Sequence, residues 1–133
     1  MGLTYLDSSV LIDAMVSGGP NGDAARAAIE SAGAETLATS PLVDLECLVR
    51  PIREGNRSRI DSIRETLSRF THLKIAPRTF ALAAHMRAVH GLKTPDALHL
   101  ATASLGECDE FWTTDSRLLR AMPGFTVNPY QDR

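Results

Sequence analysis

Short apolar runs alternate along the chain with stretches of helical apolar periodicity, a pattern that predicts strand and helix in turn from one end to the other. Strands are expected near Leu3 to Leu6, Glu35 to Thr39, His72 to Ile75, Glu110 to Thr113 and Phe125 to Asn128, with helices in the intervals. Such alternation predicts an α/β fold, a parallel sheet covered by helices on both faces. In the helix expected from about Pro41, Leu42, Leu45, Val49 and Ile52 form an apolar stripe expected to face the core, with Glu46 at its border and Asp44 turned to solvent. Ile60, Ile63, Leu67 and Phe70 form the corresponding stripe of a helix near Asn56 to Phe70. Ala97 to Ala103 is apolar almost all round, which marks a central helix. Gly18-Gly19-Pro20-Asn21-Gly22 reads as a loop and Met122-Pro123-Gly124 as a turn.

Four acids stand out against this frame. Asp7 closes the run Leu3-Thr4-Tyr5-Leu6, and Asp115 follows Phe111-Trp112-Thr113-Thr114 in the same way. Ligands of open parallel sheets bind at the carboxyl ends of the strands, so the two aspartates can share one crevice. Glu46 borders a core-facing helix, and Asp96 opens the central helix behind Thr94 and Pro95. Each has a plainer explanation taken alone: Asp7 and Asp115 as N-caps, Asp96 as a first-turn acid favoured by the helix dipole, Glu46 as half of an ion pair. Taken together they point to a metal site. Two like charges about 4 Å apart repel by roughly 4 kcal/mol at an effective dielectric near 20, against a total stability of about 5–15 kcal/mol. Four crowded carboxylates therefore need a cation or protonation, and hard ions such as Mg²⁺ or Mn²⁺ suit an all-oxygen site.

Composition narrows the setting. At 133 residues, 44% of them hydrophobic, the chain can bury one aliphatic core, and a single domain over residues 1–133 is expected. No apolar run approaches membrane-spanning length and the first strand begins almost at once, so the expectation is a soluble cytoplasmic protein with no membrane partner. Cys47 and Cys108 have no metal-type spacing and are expected as free thiols. The net charge of −2 conceals an asymmetry, because the segment Arg50 to Lys93 carries ten Lys/Arg against three acids. A basic middle beside an acidic metal site suits a polyanion held by its flanking phosphates. Arg57 and Arg64, seven apart on one helical flank, could grip a single backbone, and Arg117 could reach a phosphate. His99, three residues after Asp96, reads as a core or hydrogen-bonded histidine in preference to a ligand at the site edge, and Trp112 as core in preference to a base-stacking platform. A P-loop is absent, and Ser9 occupies the place where a haloacid-dehalogenase-type phosphatase needs a second Asp.

Leu6-Asp7-Ser8-Ser9-Val10-Leu11-Ile12, the helix bearing Glu46, Thr94-Pro95-Asp96-Ala97-Leu98-His99-Leu100-Ala101-Thr102-Ala103 and Glu110-Phe111-Trp112-Thr113-Thr114-Asp115 together resemble a PIN domain. More narrowly they resemble the VapC-type ribonuclease toxins of bacterial toxin-antitoxin modules. Asp7, Glu46, Asp96 and Asp115 fall on the family's four acidic positions, while Ser9 and Thr114 stand where the family often has Asn. The resemblance implies a five-stranded parallel sheet sandwiched between helices, with the first and fourth strands adjacent. It also implies Mg²⁺- or Mn²⁺-dependent hydrolysis of RNA phosphodiester bonds. Asp7 and Asp96 would be the leading metal ligands, Asp115 and Glu46 would bind a second ion or orient water, and Ser8, Ser9 and Thr113 would hold water or steady the acids. A cognate antitoxin and pairing of the toxin as a homodimer are further implications. The alternatives within the fold are an RNA-processing nuclease outside any toxin-antitoxin system and a non-catalytic PIN domain that binds RNA.

Overall fold

The computed structural model describes residues 2–131, so the extreme ends of the expected domain lie outside the described residues. The elements are β1 (Thr4–Leu6), α1 (Ser8–Val16), α2 (Gly19–Ala32), a 3₁₀ turn (Ala34–Thr36), β2 (Leu37–Thr39), α3 (Pro41–Arg53) and α4 (Arg57–Ser68). They continue with β3 (Thr71–His72), α5 (Pro77–His90), α6 (Thr94–Leu105), β4 (Glu110–Trp112), α7 (Ser116–Ala121) and β5 (Thr126–Val127). The five strands form one sheet in the order β3-β2-β1-β4-β5, every pair parallel. This is the α/β sandwich expected from the alternation, with β1 and β4 adjacent.

The strand order places the site. The chain runs outward from β1 through β2 to β3, then crosses back so that β4 flanks β1 on the other side. The order therefore reverses at β1, and a crevice opens beyond the carboxyl ends of β1 and β4. Leu6 pairs with Trp112 at that end, and the amide of Asp7 continues the ladder by donating to the Trp112 carbonyl at 3.0 Å. Tyr5, Leu6, Phe111 and the α6 residues Ala97 to Ala103 are all buried, which makes α6 the central helix its apolar sequence predicts.

Three local expectations are corrected. On α3 the buried residues are Val43, Cys47 and Pro51, while Leu45, Val49 and Ile52 are 58%, 42% and 54% exposed. The helical period was legible, but both flanks of α3 carry apolar residues and periodicity cannot choose between them. The rotation also brings Asp44 in from solvent: its Oδ1 is buried without a hydrogen-bond partner among the described residues, and His72 lies 3.9 Å from its other oxygen. On α4, by contrast, Ile63 and Leu67 are buried as expected. The glycine-rich segment Gly18 to Gly22 is largely the first turn of α2, started by Pro20. Gly22 is required there, since a Cβ on it would stand 2.0 Å from the Ser17 carbonyl oxygen. The expected strand His72 to Ile75 is only Thr71–His72, and Glu35 and Thr36 lie in the 3₁₀ turn ahead of β2.

Candidate metal centre

Asp7 stands at the N-cap position of α1, yet its carboxylate makes no capping hydrogen bond. Instead its Oδ2 accepts from Ser9 Oγ at 3.1 Å and from Thr113 Oγ1 at 2.8 Å, while Oδ1, 4.0 Å from His99 Nε2, has no hydrogen bond among the described residues. Glu46 repeats this arrangement from α3. Its Oε1 accepts from Ser8 Oγ at 2.9 Å and from His99 Nε2 at 2.6 Å, and Oε2 is left over. A hard cation takes oxygen donors, and here two carboxylates are each anchored by one oxygen and unengaged at the other. One ligand atom from each of Asp7, Glu46 and His99 lies within 4.8 Å of the other two, close enough to surround an ion.

The remaining acids, Asp96 in the first turn of α6 and Asp115 at the N-cap of α7, lie outside that close group. Asp96, in the first turn of α6, accepts no side-chain hydrogen bond among the described residues. Burial raises its pKa above the usual carboxylate range, the charges of Asp115 and Asp7 raise it further, and His99 and Arg117 oppose them. Those couplings place Asp7, Asp96 and Asp115 within one electrostatic neighbourhood. Asp115 does serve as an N-cap, accepting from the Arg117 amide at 2.8 Å. Thr113 ties it to the cluster, because the Thr113 hydroxyl that donates to Asp7 also accepts from the Asp115 amide at 3.0 Å. Glu46 differs in sign: burial alone would raise its pKa, but the hydrogen bond and charge of His99 together with Ser8 outweigh burial and lower it.

The donor set fits a divalent cation. It is rich in carboxylate oxygen, one oxygen each of Asp7 and Glu46 is free of hydrogen bonds among the described residues, and burial together with its acidic neighbours disfavours the charged form of Asp96. Hydroxyls from Ser8, Ser9 and Thr113 steady the two better-anchored acids in the way outer partners of metal ligands do.

The basic residues divide. Arg117 sits beside the acids, its Nε 3.8 Å from Asp115 Oδ1. Arg57 and Arg64 lie on the exposed face of α4 and form no ion pair with the four acids. A cavity of about 270 Å³ is lined by Asp96 together with His90, Lys93, Arg117 and Arg120; Lys93 and Arg117 are basic residues expected from the sequence to meet a polyanion, and Arg120 joins them. Arg87 shapes its wall by donating from Nε to the Leu92 carbonyl at 2.9 Å. A cavity of about 750 Å³ lies between α1, α2 and α4, with Leu11, Met15, Ile29 and Phe70 among its walls and none of the four acids lining it. Its size reflects an open groove between helices, so the chemistry of the smaller site decides where the reaction centre is sought. Sequence reasoning missed Tyr5 and Ser40 as site residues, though the Tyr5 hydroxyl lies 2.7 Å from His99 Nδ1 and 2.8 Å from Ser40 Oγ.

A family model for the PIN domain matches residues 4–123. No curated protein matches the chain. Among solved structures, a toxin-antitoxin complex from Klebsiella pneumoniae aligns with a TM-score of 0.80 at 29% identity, over 97% of this chain and 99% of that one. FitAB bound to an IR36 DNA fragment aligns with a TM-score of 0.78 at 17% identity, over 98% of both chains. FitAcB from Neisseria gonorrhoeae aligns with a TM-score of 0.65 at 18% identity, over 96% of this chain and 99% of that one.

Proposed function

The chain belongs to the PIN-domain family, and from that premise we propose that it is a Mg²⁺- or Mn²⁺-dependent endoribonuclease, the toxin of a type II toxin-antitoxin pair. The observation that carries the reading is the anchoring of Asp7 and Glu46 by one oxygen each, opposite an Asp96 that burial and like charge leave unfavourably ionised. Asp7 and Asp96 would hold the ion, with Glu46 and Asp115 completing its surroundings or orienting water. Once bound, the ion would offset charge building on the phosphate and acidify a water for in-line attack. Ser9 and Thr113 keep Asp7 aimed, and Ser8 does the same for Glu46. Lys93, Arg117 and Arg120, around the cavity beside Asp96, suit the flanking phosphates of an RNA strand. Arg57 and Arg64 would act further along the same backbone.

The partners follow by analogy. The Klebsiella neighbour is a toxin-antitoxin complex, which supports a cognate antitoxin here, and the groove between α1, α2 and α4 is large enough for a partner segment. Leu45, Val49 and Ile52, exposed on α3, suit the interface of a homodimer. Burying each such side chain is worth about 1.5–3 kcal/mol. No helix among the described residues is long and apolar enough to cross a membrane, and we place the enzyme in the cytoplasm as a single domain over residues 1–133.

The test is cleavage of a structured RNA by purified protein. Cutting is expected with Mg²⁺ or Mn²⁺, and Asp7→Asn and Asp96→Asn should each abolish it while circular dichroism shows the fold intact. Undiminished cleavage by both variants, or full activity in EDTA, would overturn the assignment. Expression of the chain alone should arrest bacterial growth, and Asp7→Asn should relieve the arrest. Normal growth at verified protein levels, with cleavage in the test tube, would reassign the chain to a nuclease outside any toxin-antitoxin pair.

A further inference from the structure

His99 is 1% exposed, and both of its ring nitrogens are engaged. Nε2 lies 2.6 Å from Glu46 Oε1, and Nδ1 lies 2.7 Å from the Tyr5 hydroxyl, which in turn lies 2.8 Å from Ser40 Oγ. The four side chains come from three elements: Ser40 at the N-cap of α3 and Glu46 within it, Tyr5 on β1 and His99 on α6. Tyr5 and Ser40 are fully buried, and burial pushes the Tyr5 phenol far above its usual range, so it remains an O–H donor. The proton inventory of the row then has few solutions. With a neutral imidazole, Ser40 donates to Tyr5, Tyr5 donates to Nδ1, and Nε2–H donates to Glu46. With an imidazolium, Nδ1–H donates to Tyr5, Tyr5 donates to Ser40, and Nε2–H again donates to Glu46. The other neutral tautomer, with the proton on Nδ1, would set the Nε2 lone pair against a carboxylate lone pair at 2.6 Å, so in both remaining arrangements the Nε2 proton points at Glu46 Oε1. A ring nitrogen that carries a proton has no lone pair to offer a cation, although His99 is near enough to the acids to be counted among possible ligands.

We propose that His99 is a positioning residue rather than a ligand: the buried row Ser40, Tyr5 and His99 fixes Glu46 by one oxygen so that the other faces the cation. The shared target supports this, since Ser8 and His99 both bond Oε1 and neither engages Oε2. Two donors on one oxygen set the rotation of a carboxylate, whereas one on each oxygen would withdraw both from an ion. Partners of this kind typically change metal affinity by about 10–100-fold when removed. The proposal deepens the function proposed above and rests on it only in taking the acids as a divalent-cation site.

The experiment is calorimetric titration of the metal-free protein with Mn²⁺ alone, paired with thermal melts in EDTA. His99→Leu should weaken Mn²⁺ binding about 10–100-fold, and His99→Gln, which can return an N–H to Glu46, should recover most of the affinity. Tyr5→Phe should weaken binding less than His99→Leu, because the imidazole keeps its place and loses one partner. In a double-mutant cycle, His99→Leu added to Glu46→Gln should cost little beyond Glu46→Gln itself. Wild-type affinity in folded His99→Leu would overturn the proposal, as would His99→Leu and Glu46→Gln losses that multiply, which marks an independent ligand. Should His99→Leu fail to fold, the His99→Gln titration decides alone, and a loss as deep as that of Glu46→Gln counts against positioning. Failure of wild-type protein to bind Mn²⁺ would remove both this proposal and the metal-dependent reading. Wild-type Mn²⁺ binding without RNA cleavage would remove the nuclease reading and leave the positioning role standing.

Discussion

Asp7 and Glu46, on the β1 and α3 side of the crevice, receive hydrogen bonds from Ser8, Ser9, Thr113 and His99. Asp96, on α6, receives none from a side chain among the described residues and feels the charges of Asp115 and Asp7 in addition to the cost of its own burial. Identical chemistry therefore has opposite energetics across one pocket. On the first side Asp7 is held by hydrogen bonds from Ser9 and Thr113, and His99 and Ser8 favour the charged form of Glu46. The second holds a repulsion that a cation would relieve, so at the proposed metal site affinity would draw on both a geometry set in advance and a strain released on binding. Functional sites commonly hold such destabilisation.

The largest expected effect is the response to metal. Mn²⁺ at a hundred times its Kd should raise wild-type stability by about 2.7 kcal/mol by mass action, and Asp96→Asn should lose most of that gain in denaturant titrations. Equal metal stabilisation of both proteins would erase the distinction between the two sides. Next in size is the pair of substitutions in metal-free protein. Glu46→Gln gives up charge-assisted hydrogen bonds to buried partners and should destabilise by about 1–2 kcal/mol, whereas Asp96→Asn should leave stability unchanged or raise it by about 0.5 kcal/mol. Melts showing the same sign for both would mean that the acids are plain structural caps.

The smallest effect separates the sides by pH. Glu46 has a lowered pKa in the fold, so its stabilising contribution is complete above its unfolded value, about 4.3, and is lost only as pH falls below that. Asp96 has a raised pKa, so its penalty is present while it is ionised and fades as pH falls from neutrality toward its unfolded value, about 3.9. The stability gap between wild type and Asp96→Asn should therefore close at higher pH than the gap between wild type and Glu46→Gln. Metal-free denaturation series in which both gaps close in the same window would contradict the assignment.

The sequence carried most of the architecture because β1, β2 and β4 lie in or beside apolar runs and each acid followed a strand or stood on a helix, whereas β3, Thr71–His72, has no apolar residue to announce it. Placement of the acids around one reversal of strand order needed only chain order and the adjacency of β1 and β4. The buried face of α3 was not legible, because Val43, Cys47 and Pro51 compete with Leu45, Val49 and Ile52 as an apolar stripe and only the surrounding helices decide between them. Asp44 went wrong with it. The row behind Glu46 was hidden for a different reason: Tyr5 and His99 are 94 positions apart and Glu46 and His99 are 53 apart. His99 in an apolar helix looked like filler until the fold set a phenol on one side of it and a carboxylate on the other.

The strand order also governs when the site can exist. β1 is the first strand to be made, and β4, its neighbour on the acidic side, is the fourth. The bond from Thr113 to Asp7 spans 106 positions, which is on the order of 5–20 s of translation. For the ribonuclease proposed here, that interval keeps the nascent chain inert beside the ribosome's own RNA. The centre closes only after nearly the whole domain has been synthesised, so the topology is itself a timer.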